Sequence, residues 1–412
     1  MALAFYQHQL PNGLDVIAEG NPDSHSIAVG MFVGTGARDE EVFLNGVSHF
    51  LEHMMFKGSE KYTWEDVNRI FDEIGARYNA FTSQEMTAYY ANVLPEFTER
   101  AVEHLAHLLR PAIRPGDFTT EKKVILEEIA MYLDDPSHRL YEAAMAEHFG
   151  THPLSMSVLG SPDSIRKLER DQMAKYFQNR YGPGNMVLAA TGQVDFPKFI
   201  ELAERYCGNW PRVSASRQHP KPHYANKRKI LADAKLNRHY MLGFTPGPSA
   251  QDERRFAARV LSDVIGDSEG SRLYWALVDN AIAEEAEFGF YPHDRCGSYY
   301  LSLICDPQRA TEALAIALGE LEKVKLDLKQ DEVLRAKNKI ASSIVLQGEV
   351  PLGRMRAIGG QWIYNKEYRS LEQDLETLMA ITPESLVSLM RDFPFDPMTV
   401  VELGPPKAAA EK

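Results

Sequence analysis

A chain of 412 residues, 44% of them hydrophobic, is long enough to bury two substantial cores, since domains usually run to about 100–200 residues. Its formal net charge of −13, from 45 basic and 58 acidic residues without a long basic block, argues against nucleic acid as a partner. Three cysteines, Cys207, Cys296 and Cys305, make neither a disulfide framework nor a C-x-x-C site, so inert thiols or a reducing compartment are expected.

The opening MALAFYQHQLPNGLDV lacks a charged leader and a long apolar run. No signal peptide, transmembrane helix or membrane partner is read from it, and a cytoplasmic protein is expected. Pro11-Asn12-Gly13 marks a hairpin turn, and SIAVGMFVGTG (26–36) reads as an apolar strand. Next comes GVSHFLEHMMFK (46–57), where His49, Glu52 and His53 stand in the order H-x-x-E-H, the inverse of the zincin H-E-x-x-H. On a helix, positions i and i+4 share a face with i+3 beside them, so two imidazoles and a carboxylate converge. Val47, Phe50, Leu51, Met54 and Met55 form the opposite, buried stripe. Two neutral imidazoles suit zinc, and Glu52 is then placed to take a proton from a water the metal has acidified, as general base rather than ligand. A further acidic ligand is needed, because catalytic zinc usually keeps three protein ligands.

Thr63 caps a second helix with Glu65 and Asp66 in its first turn, the stripe Val67, Ile70, Phe71 and Ile74, and Gly75 at its end. RYNAFTSQEMTAYYANVL (77–94) reads as a strand, and helices are expected over 96–110 and 118–149. The second of these carries Glu121 and Glu128, two turns apart on one face, as candidates for the missing ligand. Glu127 points elsewhere, and Val124, Ile125 and Ile129 mark the packing side. Ser161-Pro162-Asp163 opens another helix, NMVLAATG (185–192) is a strand, and a helix to Trp210 ends the first half.

With these motifs in view the chain resembles the pitrilysin/insulinase family, which includes the mitochondrial processing peptidases. The likeness rests on GTGARDE (34–40), HFLEHMMFKGSEKY (49–62), NAFTSQEMTAYY (79–90) and the Glu121/Glu128 spacing. It implies Glu128 as third ligand of one zinc per chain, and Glu121 as a carboxylate supporting the site. It places Asn79, Ala80 and Phe81 on a sheet edge beside the metal, where a substrate peptide adds as an extra strand. It also implies an α+β fold of two duplicated domains, each an antiparallel-rich mixed sheet covered by helices, together forming half of a clamshell chamber.

Residues 214–228, inside the polar, basic and Pro-containing run 212–228, read as a linker between domains at 1–213 and 229–404, with 405–412 as a disordered tail. Signals then recur. Tyr89-Tyr90 is echoed by Tyr299-Tyr300 at an offset of 210, Ser161-Pro162-Asp163 by Thr382-Pro383-Glu384, and NMVLAATG by PMTVVELG (397–404). The same offset carries His49, Glu52, His53 and Glu128 onto Arg259, Ser262, Asp263 and Asn338, so zinc is expected in the first half alone.

By the resemblance, active single-subunit relatives carry an Arg and a Tyr seven residues apart in the inert half. Here those positions hold Val278 and Glu285. The expected function is a zinc-dependent endopeptidase acting on short or unfolded peptides in a closed chamber. The chain would be the zinc-bearing subunit of a heterodimer whose homologous, zinc-less partner supplies the pair. A self-sufficient homodimer is one alternative. A non-catalytic core-type subunit of a larger complex is another, against which the intact metal motif argues. The four tryptophans and the Met-rich end of the metal helix are expected in cores, His104, His107, His138 and His148 at surfaces or caps, and the glycines of PLGRMRAIGG (351–360) outside any nucleotide site.

Overall fold

A computed structural model describes residues 3–406, so most of the expected tail, 407–412, lies outside the described residues. The chain divides into two compact units. Residues up to Ala130, with Met156–Gln218 and Val345–Arg369, form the first; Met131–Ser155, His219–Ile344 and residues from Ser370 onward form the second.

The first unit's sheet is built from β1 (Ala4–Gln9), β2 (Asp15–Gly20), β3 (Ile27–Val33), β4 (Arg77–Thr82), β5 (Thr87–Val93) and β6 (Met186–Gly192). They lie in the order β1-β2-β6-β3-β5-β4, and only β2 and β6 run parallel. The helices of the first sequence half are α1 (Val47–Met55), α2 (Trp64–Glu73), α3 (Thr98–Leu108), α4 (Pro115–Asp134), α5 (Pro136–Phe149), α6 (Pro162–Lys167), α7 (Arg170–Arg180) and α8 (Phe196–Cys207). The second sheet holds β7 (Arg228–Ala232), β8 (His239–Pro246), β9 (Glu285–His293), β10 (Cys296–Cys305) and β11 (Thr399–Gly404) in the order β7-β11-β8-β10-β9, with β7 and β11 parallel. Its half of the sequence contributes α9 (Arg255–Gly266), α10 (Ala310–Asp327), α11 (Gln330–Gly348), α12 (Pro351–Asn365), α13 (Leu371–Met379) and α14 (Pro383–Asp392).

Strand for strand, the second sheet repeats the first without β1. The strands β7, β11, β8, β10 and β9 take the places of β2, β6, β3, β5 and β4. The duplication read from the Tyr-Tyr pairs is therefore a duplication of topology. One echo is displaced: Ser161 caps α6, two helices before β6, whereas Thr382 caps α14, directly before β11. By order, the counterpart of Ser161 is Ser370, which closes a capping box on α13.

Two expected elements are broken. The stretch 77–94 is a hairpin, because Ser83 turns the chain with its backbone N–H and hydroxyl both on the Met86 carbonyl. The helix over 118–149 stops at Asp134 and restarts at Pro136, where a missing N–H is harmless at the first helical position and Asp135 accepts from the Ser137 N–H. Thr63 caps α2 through the Asp66 N–H as expected.

The break has a consequence for packing. Freed from α4, α5 lies on β8 and β11, where Leu140, Ala144, Met145 and Phe149 meet Leu242, Phe244, Val401 and Leu403. Its counterpart α12 lies in the first unit on β3 and β6. Gly359 permits that approach, since a Cβ there would fall 2.2 Å from the Phe32 ring. Arg354 of α12 is 3% exposed and binds Glu19 at 2.6 Å, with the Tyr368 hydroxyl donating to the same carboxylate at 2.7 Å. The linker is not slack either, since Arg217 within it pairs with buried Asp39 at 2.7 Å.

Several side chains are elsewhere than expected. Val124 is 42% exposed, leaving Ile125 and Ile129 to pack α4. Trp64 and Trp275 are exposed, and only Trp210 and Trp362 belong to cores. His104 and His148 are buried, not at the surface, because aromatic rings enclose them: Phe71 for His104, and Phe149, Tyr224 and Phe244 for His148. Burial pushes their imidazoles down to about 4 and about 3 respectively. An unfolded histidine protonates near about 6.5, so below that pH the unfolded chain binds more protons than the folded one. Stability is therefore full above about 6.5 and falls by roughly 1.4 kcal/mol per pH unit for each of these groups as the medium acidifies. Buried Glu40 and Asp263, pushed up to about 7 and about 6, contribute with the opposite sign in the same window, so the test is a difference. In urea melts at successive pH values between about 6.5 and 5, the wild type should lose roughly 1.4 kcal/mol per pH unit relative to His148→Gln.

Candidate metal centre

The helix α1 is fixed at its start before it presents any candidate ligand. At its start Gly46 has φ +94°, and a Cβ there would lie 2.7 Å from the Leu159 carbonyl oxygen, so only glycine fits. Buried Glu40 accepts the N–H groups of Gly46 and Ser48 at 2.7 Å each, capping the positive end of the helix. Desolvation pushes the Glu40 carboxyl up to about 7. Val47, Phe50, Leu51, Met54 and Met55 are fully buried, which turns His49, Glu52 and His53 to the other side.

Across from them α4 brings Glu121 and Glu128 onto the same face. The Glu128 Oε2 lies 3.1 Å from His49 Nε2 and 3.6 Å from His53 Nε2. Among the described residues these form a group whose donor atoms all lie within 4.8 Å of one another. Glu121 Oε1 takes the other nitrogen of His53, Nδ1, at 2.9 Å, and its Oε2 meets Lys57 Nζ at 2.5 Å. Glu52 stays outside the triangle, with Oε2 at 3.9 Å from His49 Nδ1 and the Thr82 hydroxyl donating to it at 2.5 Å. The structure thus separates the two carboxylates that sequence spacing left equivalent, and it adds Lys57, Thr82 and Glu40.

Charge follows the geometry. Burial disfavours the cationic form of His53, but the Glu121 hydrogen bond and the nearby carboxylates outweigh it and raise its pKa. Glu128 is held below the usual carboxylate range, chiefly by its His49 hydrogen bond and against burial. Two imidazole nitrogens and one carboxylate oxygen, with a carboxylate bonded behind one ring, are the donor types that zinc takes with a fourth position open.

The edge strand β4 runs beside this group, and its side chains alternate. Tyr78 stacks on Phe71 of α2 and Thr82 reaches Glu52, so Ala80 between them also faces α1. Phe81 packs on the α12 side, and Asn79 shares that side with it. In the second unit the offset positions Arg259, Ser262 and Asp263 fall on α9, the counterpart of α1, and Asn338 on α11. Burial pushes the Asp263 carboxyl up to about 6. Val278 ends a π-helical turn packed against the core, and Glu285 opens β9.

Residues 15–162 match the profile of Insulinase (Peptidase family M16), and residues 167–340 that of the Peptidase M16 inactive domain. An uncharacterized zinc protease of Streptomyces coelicolor is 30% identical over 394 residues, covering 93% of this chain and 86% of that protein. The chain belongs to peptidase family M16. The M16 relationship extends to the uncharacterized zinc protease YmxG of Bacillus subtilis, 29% identical over 92% of this chain and 93% of YmxG. A protease from Helicobacter pylori has the same fold, with a TM-score of 0.92 at 20% identity over 98% of this chain and 100% of that one. A chain of Complex III2 from Candida albicans shares it too, at 0.83 and 17% identity over 97% and 95% of the two chains. The M16 fold alone therefore does not distinguish a peptidase from a component of a larger assembly. Family and relatives' names support a metallopeptidase, and no helix among the described residues is long and apolar enough to cross a membrane.

Proposed function

We propose that this chain is a zinc-dependent endopeptidase that cuts short or unfolded peptides in a closed chamber. The observation that carries the reading is the convergence of His49 Nε2, His53 Nε2 and Glu128 Oε2 beside a carboxylate, Glu52, that is not part of the triangle. Zinc, when bound, supplies Lewis acidity toward a peptide carbonyl and toward water. His49, His53 and Glu128 would hold it, and Glu121 keeps His53 Nδ1 engaged, which would leave Nε2 as the nitrogen free to bind it. Glu52, oriented by Thr82, takes the proton of the attacking water and returns it to the leaving amine. The main chain of Asn79, Ala80 and Phe81 lies on the end strand of its sheet, where an extended peptide can pair without regard to its sequence.

The chamber and the partner rest on the family resemblance, with support from two positions. Val278 and Glu285 offer no guanidinium or phenol where active single-subunit relatives carry them, and losing donors to a developing oxyanion costs about a hundredfold or more. A homologous, zinc-less subunit bearing that pair completes the site in a heterodimer. Turnover of a quenched, unstructured peptide by the purified zinc-loaded chain, alone and with such a relative from the same source, tests this. Weak cleavage alone and strong cleavage with the relative is expected. Full activity of the chain alone replaces the heterodimer with a self-sufficient enzyme, and silence in both arms with zinc bound leaves a non-catalytic subunit.

A further inference from the structure

The end strand β4 has a second face that the proposed chemistry does not use. Alternation places Arg77, Asn79 and Phe81 on the side away from Glu52. On that side α12 brings up Arg356, whose guanidinium carbon lies 4.6 Å from the ring centroid of Tyr90 and 5.8 Å from that of Phe81. One of its nitrogens, Nη2, donates to the Tyr90 hydroxyl. Tyr90 is the direct cross-strand partner of Asn79, so the guanidinium sits over the same stretch of β4 that offers its main chain to a peptide. Two rings and a hydroxyl hold this cation in place without neutralising it. Arg77 and Arg356 are both exposed, and among the described residues neither has a carboxylate partner.

A peptide paired to the outer edge of β4 has two faces as well. Every second side chain points toward Glu52 and the metal ligands, and those between come up beside Asn79, Phe81 and the two arginines. We propose that Arg356, together with Arg77, makes the enzyme select peptides with acidic side chains at these alternate positions. The preferred substrates are then acidic, although the chain itself carries a net charge of −13, because what a bound strand meets is the local pair of cations. This inference rests on β4 being the peptide-binding edge. Arg356 is a specificity determinant in it and takes no part in the bond-breaking step.

The test separates binding from turnover. A neutral, unstructured, end-labelled peptide carries a single glutamate, or a single lysine, moved one position at a time. Binding to the zinc-loaded Glu52→Gln chain is read by fluorescence anisotropy. Glutamate should bind roughly three- to fivefold tighter than lysine at every second position and equally at those between, with the effect shrinking in high salt. Adding Arg356→Gln should weaken the alternation and Arg356→Gln with Arg77→Gln should remove it, whereas Arg356→Glu should cancel it with Arg77 present and invert it with Arg77→Gln. A glutamate-to-lysine ratio without a period of two, or one that survives Arg356→Glu, overturns the proposal. Cleavage of the neutral parent by the wild-type chain, with its partner if one is required, tests the peptidase reading separately: a cut parent without the alternation sinks the specificity alone, and a parent neither bound nor cut sinks both.

Discussion

Replacing Glu52 by glutamine is expected to lower peptide turnover by a factor on the order of 10²–10⁴ and to leave zinc at one per chain. Glutamine has nearly the shape of glutamate, and its amide oxygen can still accept the Thr82 hydroxyl that lies 2.5 Å from Glu52. It cannot take a proton from water. Metal content should hold because Glu52 approaches His49 only at Nδ1, 3.9 Å away, while Glu128 faces the other ring nitrogen. The measurement is kcat on a quenched peptide beside metal analysis of the same sample. Wild-type turnover in the variant would remove Glu52 from the base role, whereas loss of zinc would make it a ligand. Thr82→Val keeps the carboxylate and removes one donor that orients it, so a smaller, roughly tenfold loss is expected.

Replacing Glu128 by alanine should weaken zinc binding by two orders of magnitude or more and abolish turnover with it. The oxygen that lies 3.1 Å from His49 Nε2 and 3.6 Å from His53 Nε2 is the one acidic donor of the triangle, so its loss leaves two neutral imidazoles. Glu121→Gln should do less, roughly 10–100-fold in affinity, because it alters only the hydrogen bond behind His53. Chelator competition measures both affinities. Thermal melts give an independent reading: zinc that binds the folded chain alone raises its Tm, and chelation should lower the wild-type Tm but not that of Glu128→Ala. If Glu128→Ala keeps the zinc-dependent shift, the metal sits elsewhere.

The clustering of His49, His53, Glu121 and Glu128 is legible because their spacing is local. His49 and His53 are one turn apart on a single helix, Glu121 and Glu128 two turns apart on another, and each pair announces a common face. Lys57, Thr82 and Glu40 carry no such mark, since each meets its partner through the fold: Lys57 across to α4, Thr82 from the end of β4, Glu40 from the loop ahead of α1. The turn at Ser83 and the restart at Pro136 did carry signals, a polar Ser-Gln-Glu run and an Asp-Pro pair. Both lie inside longer apolar-patterned stretches, which read as one strand and one helix although the backbone turns and restarts where these signals stand. The placement of α5 and α12 was not readable at all, because an apolar stripe shows that a helix packs and does not show on which sheet.

That placement bears on how such a chain could have arisen. A half-length ancestor with one sheet and its own version of α5 would have had its helix leaving and one sheet face uncovered, a state that two identical copies repair by trading helices. Tandem fusion of the gene turns that trade into a contact within one molecule, formed at a fixed effective concentration instead of one set by dilution. Once the copies are tied together, they no longer need to stay alike. One can keep His49, His53 and Glu128, and the other is free to diverge, as it has at the offset positions Arg259, Asp263 and Asn338.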